Sequence, residues 1–520
     1  MIVAIELLAG LAVAGAYSAQ LVRWLRVLQR EHYVPAALPR FLGRWTSPQV
    51  GSASTPARRN LRRPVTLSQV LLVVLLVGLV VRNPVILVLD SILYGLFCPV
   101  GLSIRGRTGA LRWTRRATLI AVVASVVALL IASLGALTPQ RWLGAVIVVW
   151  AVPVLLDVST RVLTPYENRR ASEFVDRAAQ RLARISPTVV GITGSYGKTS
   201  TKNHLAQLLD GAVVASPRSF NNRAGLSRAI NENLSDGTSV FIAEMGTYGP
   251  GEIRSMCDWC PPTIAVVTAI GPVHLERMKT LDVIDAAKFE ITERATTVIV
   301  NADDVRLREW VKRLGDSGKR VVTAGSTFRD AAIRVVPDGS QWRVDYDGVT
   351  VTNCPPIVGV QPTNLACAIA VAVELGTDVG EVVGRIARVT SVANRANVVT
   401  SVSGVAVIDD TFNANPASAA AALDLLSNLD VTGRRVLVTP GMVELGSDQY
   451  GQNLALARRA AALGFELVVV GRTNALALAA GYGSAPRRFD TRDDAVAWIR
   501  ASLVDGDAVL YLNDLPDNYP

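Results

Sequence analysis

Lysine is almost missing from this chain: six occur in 520 residues, and two of them, Lys198 and Lys202, sit in or beside one glycine-rich turn. The formal net charge of +10 therefore comes from arginine, gathered between hydrophobic runs. No aromatic–basic interleaving accompanies those arginines, so no nucleic-acid partner is expected, and membrane topology explains them better. Cysteine is sparse and scattered, at Cys98, Cys257, Cys260, Cys354 and Cys367. Cys257 and Cys260 form a C-x-x-C without a second pair at zinc spacing, which leaves reduced cytosolic thiols or a structural zinc as the two readings. The N-terminus also lacks the basic start and small-residue cleavage pattern of a removable signal, so its apolar run is kept as a helix.

What the chain has in excess is hydrophobicity, at half of all residues, and the excess lies in the first 160 or so. The length calls for more than one domain. Five runs are apolar enough to read as membrane spans, at about 3–22, 66–81, 85–102, 118–137 and 142–158. Residues 23–65 between the first two hold nine arginines, and a second basic loop carries Arg105, Arg107, Arg112, Arg115 and Arg116. Placing both loops inside gives an outside N-terminus, a multi-pass domain over 1–160 in the cell membrane, and cytoplasmic domains after Arg161. Within the third run, Asp90 reads either as a contact to a substrate headgroup or partner helix, or as a hydrogen-bonded acid packing two helices. Residues 161–184 follow as an amphipathic connector helix.

The chemistry starts at Val189–Lys202, VVGITGSYGKTSTK. A β-branched run turns at Gly194, Ser195 and Gly197 and passes into a helical pattern. Backbone N–H groups and a helix N-terminus then face one point, which suits nucleotide phosphates. Lys198 reaches the outer phosphates and Thr199 is placed to hold Mg²⁺. Ile192 stands where the full spacing rule wants a glycine, so the loop is a shortened variant. Glu244 closes an apolar strand, a place where Mg²⁺ ligands tend to sit. Strands and helices then alternate, which predicts a doubly wound parallel sheet over 185–396, with a β-hairpin at 333–352, and a Rossmann-like sheet over 397–520. The expected fold class is thus an α-helical membrane domain followed by a P-loop-type α/β domain and a Rossmann-like α/β domain.

GITGSYGKTSTK, SFNNRAG, AEMGTYGPGEI, GPVHLE, AAKFEI, NADD and IDDTFNANPAS occur in the order and spacing of the Mur ligases. The chain resembles that family over roughly 185–510, and within it the branch that adds D-alanyl-D-alanine. The resemblance implies an ATP-dependent ligase making an amide on a cell-wall precursor through an acyl phosphate. It implies that Gly194, Ser195, Gly197, Lys198, Thr199 and Ser200 hold the ATP phosphates. Thr199, Glu244, His274 and Lys288 would serve two Mg²⁺ ions, with Lys288 carbamylated, and Lys198, Lys288 and His274 would be the catalytic set. Asn364, Arg395 and Asp410 would contact the nucleotide, Asn221 and Asn222 the substrate loop, and Asn413 and Asn415 the incoming amine. The implied partners are the precursor, an amino acid or dipeptide amine, membrane lipid and other envelope-synthesis enzymes.

Departures from the family pattern gather where substrate and nucleotide are placed. Membrane runs stand where the family has a domain for the UDP-sugar, which points to a lipid-linked acceptor as an alternative to a UDP-linked one. Ala269 replaces an asparagine, Gln361-Pro362 replaces a His-Asn pair, and Asn394 replaces a glycine. Leu512–Tyr519 replaces a Lys-Gly-Ser segment. Two other functions remain open on these residues: a poly-γ-glutamate-type polymer synthase, and a non-ligating ATP-binding membrane module for transport or recruitment.

Overall fold

The computed structural model describes residues 2–31, 33–34, 36–46, 67–100, 102, 104, 110–217, 220–391, 397–411 and 414–515. Arg395 and Asn413 therefore lie outside the described residues, as does Asn394. The chain divides into two compact units: residues 1–169 with 471–473 and 515–520, and residues 170–470 with 474–514.

The first unit is helical, built from Ile2–Arg30, Ala37–Thr46, Leu67–Val80, Pro84–Phe97, Arg115–Ala136 and the first part of Leu143–Ile185. Arg115–Ala136 and Leu143–Ile185 are long and apolar enough to cross a membrane by length and composition. Leu67–Val80 and Pro84–Phe97 are apolar but only 14 residues each, about 21 Å of helix against a hydrocarbon core of about 30 Å. The expected 16- and 18-residue spans are thus shorter here. Asn83 turns the chain between them, accepting from the N–H groups of Val85 and Ile86, with Pro84 at the first helical position. The expected fifth span and the separate connector at 161–184 are one helix, Leu143–Ile185, which continues through Pro153 and Pro165.

Buried polar groups hold this unit together. Gln20 Nε2 donates to the carbonyls of Tyr94, Gly95 and Cys98, and Arg23 donates to those of Gly95, Leu96 and Cys98. One helix thereby satisfies the orphan C-terminal carbonyls of another. Asp90, 1% exposed, accepts from Trp150 Nε1 at 3.2 Å, and Tyr94 stacks on Trp150 at 3.7 Å between centroids. Asp90 thus ties two helices together.

The second unit carries two sheets. The first contains β1 Thr188–Thr193, β2 Val213–Ala215, β3 Val240–Glu244, β4 Ile264–Val267, β5 Thr297–Asn301, β6 Arg320–Gly325, β7 Ile333–Asp338, β8 Gln341–Tyr346 and β9 Val349–Cys354. Their order is β2-β3-β1-β4-β5-β6-β7-β8-β9, parallel through β7 and antiparallel from β7 to β9. The expected hairpin is therefore three strands joined to the sheet edge, and the sheet is mixed rather than wholly parallel. Val189 faces one apolar core while Val190 and Ile192 face another, so helices cover both faces, as in a doubly wound sheet.

The second sheet contains β10 Asn397–Thr400, β11 Ala406–Asp410, β12 Arg435–Thr439, β13 Glu466–Val470, β14 Arg487–Phe489 and β15 Ala508–Leu512. Its order is β10-β11-β15-β12-β13-β14, with β10 antiparallel to an otherwise parallel set. Asp410 sits at the C-terminal end of β11, the edge where open α/β sheets bind ligands.

Candidate functional site

The loop between β1 and the helix Lys198–Leu208 is set by its glycines. Gly194 has φ 148° and Gly197 φ 80°, and a Cβ on Gly197 would strike the Asn364 amide. Ile192 explains the shortened motif: it is fully buried in the core beneath the sheet, and its carbonyl accepts from Met245 N at 2.8 Å. It belongs to the strand, so the loop opens only at Gly194. Lys198 Nζ folds back to donate to Gly194 O at 2.5 Å and Ser195 O at 3.4 Å.

Thr268, at the end of β4, donates to Thr193 O at 3.1 Å and also to Tyr196 O. Asn301 Nδ2 donates to Thr268 O at 2.7 Å, so β4 and β5 brace the loop from below. Thr268 carries no motif by itself, whereas Asn301 opens the NADD segment, and only the fold shows that the two brace the loop together.

Behind the loop lies a buried polar cluster. Thr199 Oγ1 is 3.1 and 3.0 Å from the two Glu244 oxygens, Lys202 Nζ is 3.0 Å from Glu244 Oε2, and Asn221 Nδ2 is 3.4 Å from Glu244 Oε1. Burial pushes the Glu244 carboxyl up, but Lys202 and Lys198 with the Lys202 and Thr199 hydrogen bonds outweigh it, and the group lies below its ordinary value. Glu244 is therefore a carboxylate at neutral pH. Lys202 was noted only as a neighbour of the loop; the fold makes it the counter-ion of Glu244.

Lys288, on the helix Leu281–Phe289, is 3% exposed and has no hydrogen-bond or ion-pair partner among the described residues. Burial, aided by Lys198, lowers its pKa well below the ordinary lysine value. The shift favours the neutral amine, the nucleophilic form of lysine. His274, in the left-handed region at φ 60°, sets Nδ1 2.6 Å from Glu444 Oε2 and meets Tyr248 edge-on at 4.7 Å.

A cavity of about 440 Å³ opens above the loop, a size suited to a nucleotide. Gly197, Ser200, Thr268 and Asn364 line one side; Asp410, Asn415 and the start of the helix Pro416–Asn428 line the other. Asn364 is positioned by the departure Gln361-Pro362: Pro362 starts the helix Pro362–Glu374, and Thr363 Oγ1 donates to Asp303 Oδ2 at 2.6 Å. Asp303 of the NADD segment thus anchors that helix. Asn415 caps the helix Pro416–Asn428 in a reciprocal pair with Ser418. Asn222 caps the helix Arg223–Asn233 through Gly225 N at 2.9 Å, so its side chain is engaged locally, apart from the Glu244 cluster. Asn513, from the divergent C-terminal segment, donates to Gly441 O at 2.7 Å and accepts from Ala414 N at 3.3 Å.

Cys257 and Cys260 are buried, unpaired thiols, and burial pushes Cys257 up to about 12. Among the described residues no group of three or more His, Cys, Asp or Glu is arranged to hold a metal. Among the described residues the zinc reading finds no third ligand. For Mg²⁺ the donors are sparse but of the right kind: the Glu244 carboxylate and the Thr199 hydroxyl are hard oxygens. Mg²⁺ commonly takes one or two carboxylates and completes its shell with water and phosphate oxygens.

Residues 192–372 match the Mur ligase middle domain and residues 394–512 the Mur ligase glutamate ligase domain. The chain is 33% identical over 363 residues to the UDP-N-acetylmuramoyl-tripeptide--D-alanyl-D-alanine ligase of Mycobacterium tuberculosis, covering 64% of this chain and 69% of that protein. Its namesake in Synechocystis is 30% identical over 339 residues, covering 63% and 72%. Among solved structures, MurF ligase from Thermotoga maritima in complex with ADP superposes with a TM-score of 0.57 at 24% identity, over 66% of this chain and 80% of that one. That last likeness is one of fold.

Proposed function

We propose that this chain, which belongs to the Mur ligase family, is a membrane-held ATP-dependent amide ligase of the D-alanyl-D-alanine-adding type. The observation that carries this reading is the meeting of the glycine loop, Asn364 and Asp410 around one nucleotide-sized cavity, beside a buried Glu244–Thr199 cluster. The curated relatives are named for joining D-alanyl-D-alanine to a UDP-N-acetylmuramoyl tripeptide, and the same reaction class is assigned here.

An acceptor carboxylate attacks the γ-phosphate of ATP to give an acyl phosphate and ADP. The amine then attacks the acyl carbon, losing a proton, and inorganic phosphate leaves as the amide forms. Positioning and charge stabilisation are the main demands of the first step. The N-terminus of the helix Lys198–Leu208 and the Lys198 ammonium receive the phosphates, Asp410 takes the ribose, and Asn415, with Asn413 by the family resemblance, is assigned to the amine. Glu244 and Thr199, with His274 and a carbamate on Lys288, would hold Mg²⁺, which offsets charge on the phosphates when bound. Lys288 suits that carbamate because it is buried, its pKa is lowered, and it has no hydrogen-bond or ion-pair partner among the described residues. Arg395 belongs with the nucleotide contacts.

The first unit lies in the cell membrane, with the catalytic domains on the cytoplasmic side where ATP is. Exposed leucines and valines ring its helices, among them Leu7, Leu11, Val73, Leu76, Leu89, Leu129, Leu130 and Val154. Such a surface is suited to lipid. The acceptor is then a muramoyl peptide that is either UDP-linked or carried on a lipid.

The test is ADP release by the detergent-solubilised full chain with Mg-ATP and D-alanyl-D-alanine, offering UDP-linked and polyprenyl-linked muramoyl peptides in parallel. Turnover with the lipid-linked acceptor alone makes the helices part of acceptor selection. Turnover with the UDP-linked acceptor makes them an anchor. Absence of turnover with both, while ATP binds, favours the polymer-forming or non-ligating function.

A further inference from the structure

We infer that Glu444 is a positioning residue for His274, delivered to the site by the C-terminal domain. The two residues are 170 apart in sequence, on opposite sides of the family's domain boundary, yet Nδ1 of His274 lies 2.6 Å from Glu444 Oε2. An ionised carboxylate only accepts, so a neutral imidazole facing it carries its proton on Nδ1 and leaves the Nε2 lone pair free. Nε2 has no protein partner among the described residues. A ring nitrogen kept basic and aimed away from its carboxylate is the arrangement that holds a histidine for a cation.

Three further observations set this contact apart from an ordinary surface ion pair. Both backbones are left-handed, with φ 60° at His274 and 64° at Glu444, a conformation uncommon outside glycine though less so for histidine, and concentrated at functional sites. Both side chains are partly shielded, at 20% and 29% exposure. The ring is also held from a third direction by Tyr248, which carries the Arg277 guanidinium over its own face at 4.7 Å. The loops after β3 and β4 and the loop after β12 thus converge on one imidazole. His274 is correctly set only while the C-terminal domain is seated, which couples domain closure to completion of the site. The role given to Nε2 rests on the ligase reading; the tautomer does not.

The chain has only three histidines, His32, His204 and His274, which makes the tautomer directly observable. The full chain, labelled with ¹⁵N-histidine in detergent, is read by long-range ¹H–¹⁵N correlation at about pH 8, where an ordinary imidazole is neutral. His274 is assigned by loss of its signals in His274→Gln. We expect a neutral ring protonated on Nδ1, shifting to the Nε2-protonated form in Glu444→Ala while the buried His204 signals stay put. Glu444→Gln, which keeps the shape and a carbonyl acceptor, should retain part of the wild-type pattern and guards against a fold defect in the alanine variant. The Mg²⁺ concentration needed for half-maximal ATP binding, measured by equilibrium dialysis, should rise roughly 10–100-fold in Glu444→Ala. A wild-type His274 that is Nε2-protonated or doubly protonated overturns the inference, as does an unchanged tautomer or an unchanged Mg²⁺ requirement in the variant. Absence of turnover with every acceptor would count against the ligase reading and leave the tautomer result standing.

Discussion

Replacing Lys202 by methionine tests the buried cluster most directly. Lys202 and Glu244 are 2% and 3% exposed, 3.0 Å apart, and methionine fills most of the lysine volume without its charge. Removing one member of a buried pair costs about 3–5 kcal/mol, because the other charge is left uncompensated, whereas an exposed pair is worth roughly 0–1 kcal/mol. Thr199 and Asn221 still donate to Glu244, so the lower end, about 3 kcal/mol, is expected. Urea unfolding of the full chain in detergent, followed by tryptophan emission, reads this loss. Glu244→Gln and the double variant complete a cycle whose coupling should be on the order of 2–3 kcal/mol. The pH dependence has a definite sign. Glu244 is held below its ordinary value, so its contribution is present above that value and disappears as pH falls through the folded one. Without Lys202 that loss moves to higher pH. If the Glu244 carboxylate is where Mg²⁺ binds, the ion should stabilise Lys202→Met and leave the double variant unchanged. A coupling under about 0.5 kcal/mol, or equal Mg²⁺ effects on the two, would refute the reasoning.

Lys288 gives a second pH signature. Between its lowered folded pKa and the ordinary lysine value the unfolded chain holds a proton that the folded chain does not. Stability should therefore rise with pH across that window by up to about 1.4 kcal/mol per unit, and Lys288→Met should flatten the slope in CO₂-free buffer. Gly197→Ala forces an alanine into φ 80° against the Asn364 amide, and ATP binding by calorimetry should weaken roughly tenfold or more. Asp410→Ala should weaken ATP about 10–100-fold if the carboxylate accepts from the ribose, with little effect on the amine KM. Asn415→Ala removes a helix cap and should cost about 1 kcal/mol in thermal unfolding; a raised amine KM beyond that marks contact with the substrate.

Local signals carried the glycine loop, Glu244 at a strand end and the alternation of strands and helices, because each depends on residues near one another in the chain. Gly194 and Gly197 had to be glycine for backbone reasons alone. The same local view misjudged the extent of two elements. The break expected between the fifth span and the connector did not form, since polarity changed along Leu143–Ile185 while the helical period continued. The hairpin at 333–352 grew a third strand, Val349–Cys354, because pairing at a sheet edge is decided by what lies alongside.

By itself, then, the order of residues determined the chemistry available to this protein: a phosphate loop, a handful of lysines, a strand-end carboxylate and an apolar N-terminal region. Tertiary structure decided the pairings, because burial and counter-charges come from segments remote in the chain. Lys202 became the partner of Glu244 only when β1 and β3 lay side by side. The pKa of Lys288 fell only when packing took the amine from water. Glu444 reached His274 only across two domains, a proximity that no spacing in the sequence encodes.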